Sequence, residues 1–424
     1  MPFTNILRAF SAALAALSLG AGQPFASAQE AEHSPADLSS PTLGYDHGFF
    51  MRSRDGRNEI VLEGLFQTLL RGSESSRKPQ SEVEIKRMRL EVAGTFDEHY
   101  RFRVETKFSP HEVELEEAWL GAELFGGQDL LMIGRMKAPF GLEEVRSRRY
   151  IPFPQFSIMQ QFVPAEQHGL FLNGNAGRAE YGIGLYNGGD QESHDDGEEL
   201  AARLMWHPFR GDFSTTFESL QFGLAATYGQ EERDLTGGSI RNAAGLPLMH
   251  YADAVSVDGT QWRLGLEAAW YDGPYMLQAE WIHIEEELSR MGAQSDVAHD
   301  GGYVMYQQVL SGATDISFAG VSPKSSVNPY GGGGSGALAL ALRLSVLESD
   351  DALQDLGFLQ PGQFTPRVTS LSAGLNWYLS SHALLRTSFV HSIYSSDVSL
   401  EGTAQAGEIV GDESALMVEF QMHF

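Results

Sequence analysis

The chain has 424 residues, no cysteine, and a formal net charge of -27 from 29 basic and 56 acidic side chains. That length fits one large barrel or two to three smaller domains, and the acidity excludes a role built on general nucleic-acid binding. The lack of cysteine suits an exported protein that avoids stray disulfides in an oxidising compartment.

Residues 1–28 read as a secretory signal. Arg8 and the amino terminus give the positive start, Ala9 to Gly22 a short apolar core, and Ala26-Ser27-Ala28 a cleavage pattern. The apolar run is too short to span a bilayer, and no later stretch approaches the ~18 consecutive apolar residues of a membrane helix. An exported chain of this kind is either soluble or a barrel, whose spanning strands need only ~9–11 residues with every second one apolar. Residues 29–57 are polar, carry Pro35 and Pro41, and are expected to form a flexible periplasmic arm.

From Asn58 onward the apolar period is two. In Tyr100 to Phe108 one face is Tyr, Phe, Val, Thr and Phe, and the other is Arg101, Arg103, Glu105 and Lys107. Met88, Leu90 and Val92 oppose Arg87, Arg89 and Glu91; Leu342 and Leu344 flank Arg343; Leu375 and Trp377 oppose Gly374, Asn376 and Tyr378. The final stretch alternates Leu416, Val418, Phe420, Met422 and Phe424 with Met417, Glu419, Gln421 and His423, and ends on an aromatic, as the closing strands of outer-membrane barrels do. Aromatics fall at strand ends (Trp270-Tyr271, Trp377-Tyr378), where interfacial girdles lie.

The expected fold is all-β: residues 58–424 form a sixteen-stranded antiparallel transmembrane β-barrel with lumen-folded loops. Strands are placed near 58–71, 82–96, 100–109, 113–121, 129–137, 168–173, 178–187, 200–208, 219–229, 260–271, 274–286, 301–311, 336–347, 367–379, 383–394 and 414–424. With periplasmic termini, connections after odd strands face outward and should be long, as at 138–167, 188–199, 230–259, 287–300, 348–366 and 395–413. The turns at 97–99, 174–177, Asp272-Gly273 and Ser380-Ser381-His382 are short. A tiny outer connection at 110–112 and a long inner one at 312–335 break the rule, so either the strand count slips there or the second folds up into the lumen.

Charge is uneven. Lys86, Arg87, Arg89, Arg101, Arg103 and Lys107 concentrate in 86–107, and Arg135, Lys137, Arg146, Arg148 and Arg149 in 135–149, whereas 263–424 holds six basic against nineteen acidic residues. One reading is that Arg87, Arg89, Arg101, Arg103, Lys107, Arg135, Lys137, Arg146, Arg148 and Arg149 line a constriction that attracts anions, because a narrow low-dielectric wall focuses the field and guanidinium forks suit phosphate oxygens. The other is that Arg87, Arg89, Arg101 and Arg103 pair with Glu91, Glu105 and neighbouring carboxylates across the wall and carry no flux. The acidic run Asp190 to Glu199 has oxygens for Ca²⁺ but lacks the spaced loop of a dedicated site, and reads as a solvated loop. The thirteen histidines show no metal spacing. Tyr330 to Ser335 is glycine-rich but lacks the Gly-Lys-Ser/Thr ending of a phosphate loop.

Ile133-Gly134-Arg135-Met136-Lys137-Ala138-Pro139-Phe140-Gly141-Leu142-Glu143 is similar to a "G-x-x-K-x-P-F-G-L-E" stretch of the phosphate-selective porin O/P family. Tyr181 to Gly188, Gly336-Ala337 leading to Leu342-Arg343-Leu344-Ser345, and Gly374 to Leu379 resemble further strands of that family in the same order. The likeness covers roughly residues 45–424. It implies a sixteen-stranded outer-membrane barrel of a diderm bacterium, usually a homotrimer set in outer-membrane lipid, that passes phosphate, polyphosphate or other small anions with no cofactor. It also implies loops folded into the pore and lumen arginines and lysines that select the anion. Leu338 and Leu344 depart from the Glu and Tyr of the family pattern.

Other classes fit less well. His391-Ser392 are adjacent, so they face opposite sides of a strand and form no hydrolytic pair, and no enzyme is expected. A receptor with a plug domain needs ~22 strands. Within the barrel class the rivals are a non-selective, cation or neutral-solute porin and a structural barrel; outside it, a soluble all-β binding protein.

Overall fold

The computed structural model describes residues 41–73, 80–109, 112–187, 197–328, 330, 334–399 and 409–424. The signal segment, the first part of the arm, Asp190 to Asp196 and residues 331–333 lie outside these. The barrel strands are β1 Glu59–Ser73, β2 Gln80–Phe96, β3 Tyr100–Phe108, β4 Val113–Leu124, β5 Asp129–Lys137, β6 Glu166–Ala176, β7 Ala179–Asn187 and β8 Glu198–Trp206. They continue as β9 Gln221–Asp234, β10 Val255–Asp272, β11 Tyr275–Arg290, β12 Ala293–Ser311, β13 Ala337–Ser349, β14 Arg367–Tyr378, β15 Ala383–Ser399 and β16 Ile409–His423. Each pairs antiparallel with its sequence neighbours, and β16 pairs with β1 from Ala415↔Ser73 to His423↔Leu65, so the sixteen-strand ring is closed.

The side chains are inverted relative to a soluble protein. On β13, Leu342 and Leu344 are 43 % and 45 % exposed, while Arg343 and Ser345 between them are 2 % and 1 % exposed. On β16, Leu416 and Met422 face outward and Met417, Glu419 and Gln421 are buried inside. A greasy exterior around a polar interior is stable only with hydrocarbon outside, and the closed ring leaves no strand edge unpaired in it.

The seam is tight. Gly64 and Phe424 exchange backbone hydrogen bonds of 2.9 and 3.1 Å, and the Phe424 ring covers the place where a Cβ of residue 64 would stand. Residues 41–57, read from sequence as the end of an arm, hold a hairpin, Thr42–Tyr45 with Phe49–Arg52. Its second strand pairs with Glu59 to Leu62, the edge of β1 that β16 is too short to reach, and Phe49 packs 5.7 Å from the Phe424 ring.

Three expected outer loops are markedly shorter than their sequence placement. Instead of a long connection at 287–300, β11 and β12 meet in a two-residue turn, Met291-Gly292, with φ of 49° and 89°. The connection expected at 230–259 shrinks to 235–254, because β9 and β10 run on to Asp234 and from Val255. That expected at 395–413 shortens likewise, with β15 running on to Ser399 and β16 starting at Ile409. The strands continue above the membrane, where outward residues turn polar (Glu285, Glu287 on β11), so the apolar signal stops before the sheet does. The long inner connection is real and the strand count holds: residues 312–336 carry the small pair Ile316–Ser317 and Gly320–Val321, whose Ile316 and Val321 pack with Phe153, Met276 and Met305 inside the barrel.

The barrel interior is not polar throughout. Over the extracellular part of β10–β16 many inward residues are apolar, among them Val257, Ile284, Leu347 and Val390, and they pack against Ile240, Leu248 and Met249 of one loop and Leu353 and Phe358 of another. The lumen on this side is therefore packed with loops that share a hydrophobic core with the wall. Gly64→Val is expected to overpack the seam, costing about 1–3 kcal/mol. A fall in the urea midpoint of detergent-folded protein would show it; an unchanged midpoint would mean the seam tolerates a side chain.

Candidate functional site

The connection 138–165 follows β5 and enters the lumen. Phe140 is fully buried against the floor left by Gly265, and Gly141, at φ 83°, turns the chain into a short helix, Leu142–Val145. Irregular backbone at membrane depth must find its hydrogen bonds in the wall, and here the far wall supplies them. The Leu142 N–H donates to Glu280 (2.9 Å), and Glu143 accepts from Arg343 (3.2 Å) and the Ser157 N–H (2.8 Å). Arg343 also donates to the carbonyls of Gln155 (3.1 Å) and Phe156 (3.0 Å) and lies 4.6 Å from the Phe153 ring centre. Arg386, Asn376 and Arg263 donate to the carbonyls of Arg149 (2.9 Å), Pro152 (3.0 Å) and Phe162 (2.8 Å).

With the loop held against β10–β16, open space remains beside β1–β5. A cavity of about 340 Å³ lies there, walled by Arg89, Glu91, Arg103 and Glu105 from the strands and by Arg148 and Arg149 from the loop. Two bulges raise the charge on this wall. One inserts Lys86 beside Arg87 in β2, the other Glu116 beside Glu117 in β4, so both members of each pair turn inward.

The sequence-chosen cations divide into groups. Arg89 pairs with Glu105 (2.8 Å) and Glu116, Arg103 with Glu91 (3.0 Å) and Glu117 (3.5 Å), and Lys137 (3.4 Å) and Arg148 (3.0 Å) with Glu144. Arg149 reaches across to Glu63 at 2.6 Å. These five surround the cavity. Arg101, paired with Glu123, sits toward the inner end of β3 near the 97–99 turn, and Lys107, 2.9 Å from Glu114, toward its outer end. Arg87 donates to Gln67 (3.0 Å) and lies 5.9 Å from the Phe156 ring; Arg135 donates to the Leu115 carbonyl (3.0 Å) and lines a separate outer cavity with Glu166. Neither meets a carboxylate among the described residues. Arg146 is away from the channel: fully buried, it donates to the carbonyls of Phe318 (2.8 Å) and Ser317 (3.3 Å), tying the outer loop to the inner connection inside the barrel. Burial works to raise the Glu144 carboxyl, but the charges of Arg148 and Lys137 outweigh it and hold that group below the ordinary carboxylate range.

Sequence reasoning missed the clamps on the opposite wall, Arg263, Arg343 and Arg386. Their signal is a lone arginine on the inward face of a strand in the region where basic residues are scarce. Arg343→Met is expected to strand the buried Glu143, cost about 3–5 kcal/mol and loosen the loop. Lower resistance to urea together with noisier open-channel current would register it; a quiet channel of wild-type stability would mean the clamp is redundant.

The family described as phosphate-selective porin O and P matches residues 67–424. No curated protein sequence matches. Among solved structures, the chain resembles the anion-selective porin from Comamonas acidovorans (TM-score 0.55, 11 % identity, covering 87 % of this chain and 100 % of that one). OmpT of Vibrio cholerae gives 0.54 and 11 % (87 % and 98 % covered), and the outer membrane channel DcaP of Acinetobacter baumannii 0.53 and 10 % (88 % and 99 % covered). At such identities the likeness is one of fold. The family match spans most of the chain, and with the closed barrel and its loop-narrowed lumen it establishes an outer-membrane protein that belongs to the phosphate-selective porin O and P family.

Proposed function

We propose that this porin lets small anions such as phosphate or polyphosphate diffuse through its narrowed lumen, without catalysis, as one subunit of a homotrimer set in outer-membrane lipid. One observation carries the anion preference. For three of the five cations around the channel cavity, Arg103, Lys137 and Arg148, the cation stands forward and the carboxylate lies behind it: the Arg103 side chain is 38 % exposed against 11 % for Glu91 and 9 % for Glu117. Lys137 and Arg148 likewise stand out beyond Glu144, and Arg101 beyond Glu123; Arg149 and Arg89 are the exceptions, Arg149 being less exposed than Glu63 and Arg89 no more exposed than Glu105 and Glu116. A passing ion meets mainly guanidinium and ammonium donors, while the recessed carboxylates keep the cations ordered. The anion-selective Comamonas porin and an OmpT structure described as a trimer form support the reading by analogy of fold.

A non-selective pore is the second reading, favoured by the same pairs, because Arg89, Arg103, Lys137, Arg148 and Arg149 are each balanced by a glutamate. The reversal potential decides between them. In a roughly tenfold KCl gradient the mature protein is expected to favour chloride, and Arg103→Glu to shift the potential toward cation preference. A wild-type potential near zero would select the non-selective reading, and one favouring potassium would overturn the anion preference.

A further inference from the structure

We propose that the lumen contains a second chamber, beside the charged channel, that binds small organic anions with an apolar body, of the aromatic carboxylate class. The proposal rests on the anion reading above and extends it from inorganic to organic solutes.

The chamber is a cavity of about 490 Å³ against β4–β8, within the roughly 300–1,000 Å³ range of small-molecule sites. Part of its lining is apolar and aromatic, beside Asn173, Asn175 and Glu180. Met132, Met136 and Phe171 point inward and form a buried cluster, with Trp119 and Leu130 packed on it, and Met205 borders the same space. On the opposite wall the inward apolar residues are covered by loops. Here Ala138, Pro139 and Val145 of the inward connection bound the space without filling it. An apolar wall facing an open cavity in a polar lumen suits a solute that buries apolar surface there, and a thioether-and-indole lining suits an aromatic ring.

The forward-standing cation sits at one end. Arg103, Lys137, Glu117 and Val145 line both this chamber and the 340 Å³ channel cavity, so the two share a border. At that border Arg103 stands forward of its glutamates. The chamber's other charged side chains are engaged elsewhere: Arg203 is held by Glu267 at 2.6 Å, and Glu180 by Arg210. A carboxylate at Arg103 and Lys137 would leave its ring against Trp119, Met132 and Phe171. Inorganic phosphate has no body for that wall, and a neutral aromatic has no charge for the border.

The test uses the full mature chain in planar bilayers in KCl, measuring current block by benzoate, acetate and benzyl alcohol together with the reversal potential. Benzoate is expected to reach half-block at about tenfold lower concentration than acetate, a difference of about 1.4 kcal/mol. Benzyl alcohol is expected not to block, and Trp119→Leu and Phe171→Leu to bring benzoate toward acetate. Equal half-blocking concentrations for benzoate and acetate in a chloride-preferring pore would overturn the chamber and leave the anion reading standing. A potassium-preferring pore would overturn the anion reading itself. Block by benzyl alcohol equal to that by benzoate would remove the carboxylate from the recognition. Folded variants that keep the benzoate preference would overturn the assignment of the ring to this wall. Heat-modifiable gel mobility reports whether the variants fold, and the wild-type comparison needs no variant.

Discussion

Hydrocarbon offers no hydrogen bonds, and that constraint governs both sides of the wall. On the outside it demands a closed ring, met where β16 joins β1. On the inside it demands that any chain folded into the lumen be bonded to the wall or to water. The loop 138–165 is bonded by wall side chains, and it is a solid object because Arg343, Arg386, Arg263 and Asn376 take up its carbonyls. Those anchors all come from β10–β15. The position of the channel follows: the loop is held to one side, so the space is left on the other.

This division assigns different work to the two groups of arginine. Arg263, Arg343 and Arg386 give donors to the loop backbone and are buried with it. Arg89, Arg103, Arg148 and Arg149 line the channel cavity and pair with glutamates that hold them in place. Arg146 shows that sequence position alone does not decide the matter: it lies between channel residues along the chain, yet it fastens the outer loop to residues 317–318 of the inner connection.

The strand order and the closing of the ring were legible because lipid imposes a strict period of two, and residues such as Leu342, Arg343 and Leu344 write that period plainly. Strand ends were less legible. Above the membrane the outward face becomes polar, so β11 and β12 run past their apolar signal to the Met291-Gly292 turn. The charged sector was readable as a concentration of Arg and Lys in the first third, and much of it does surround the open cavity. Pairing across the wall was readable for Arg89 with Glu105 and Arg103 with Glu91, but Glu116 as a second partner of Arg89 was not, because the bulge at Glu116 shifts the register by one residue. The apolar filling of the far lumen was hidden for another reason: Ile284 or Val390 on an inward face looks like any strand residue until the loop that covers it is known.

The seam carries a kinetic consequence. β1 and β16 are joined by pairs such as Leu65↔His423, residues separated by nearly the whole barrel sequence, whereas the other strand pairs join sequence neighbours. Loop-closure entropy grows only as the logarithm of the intervening length, so the cost of this one contact is modest once the strands between are ordered. Before that point, nothing local favours it. The sheet can grow hairpin by hairpin, but its two edges meet in a single late event of high contact order. Until they do, β1 and β16 are open edges able to pair with any other strand. The interval between sheet growth and ring closure is thus when this chain is most exposed to misassembly.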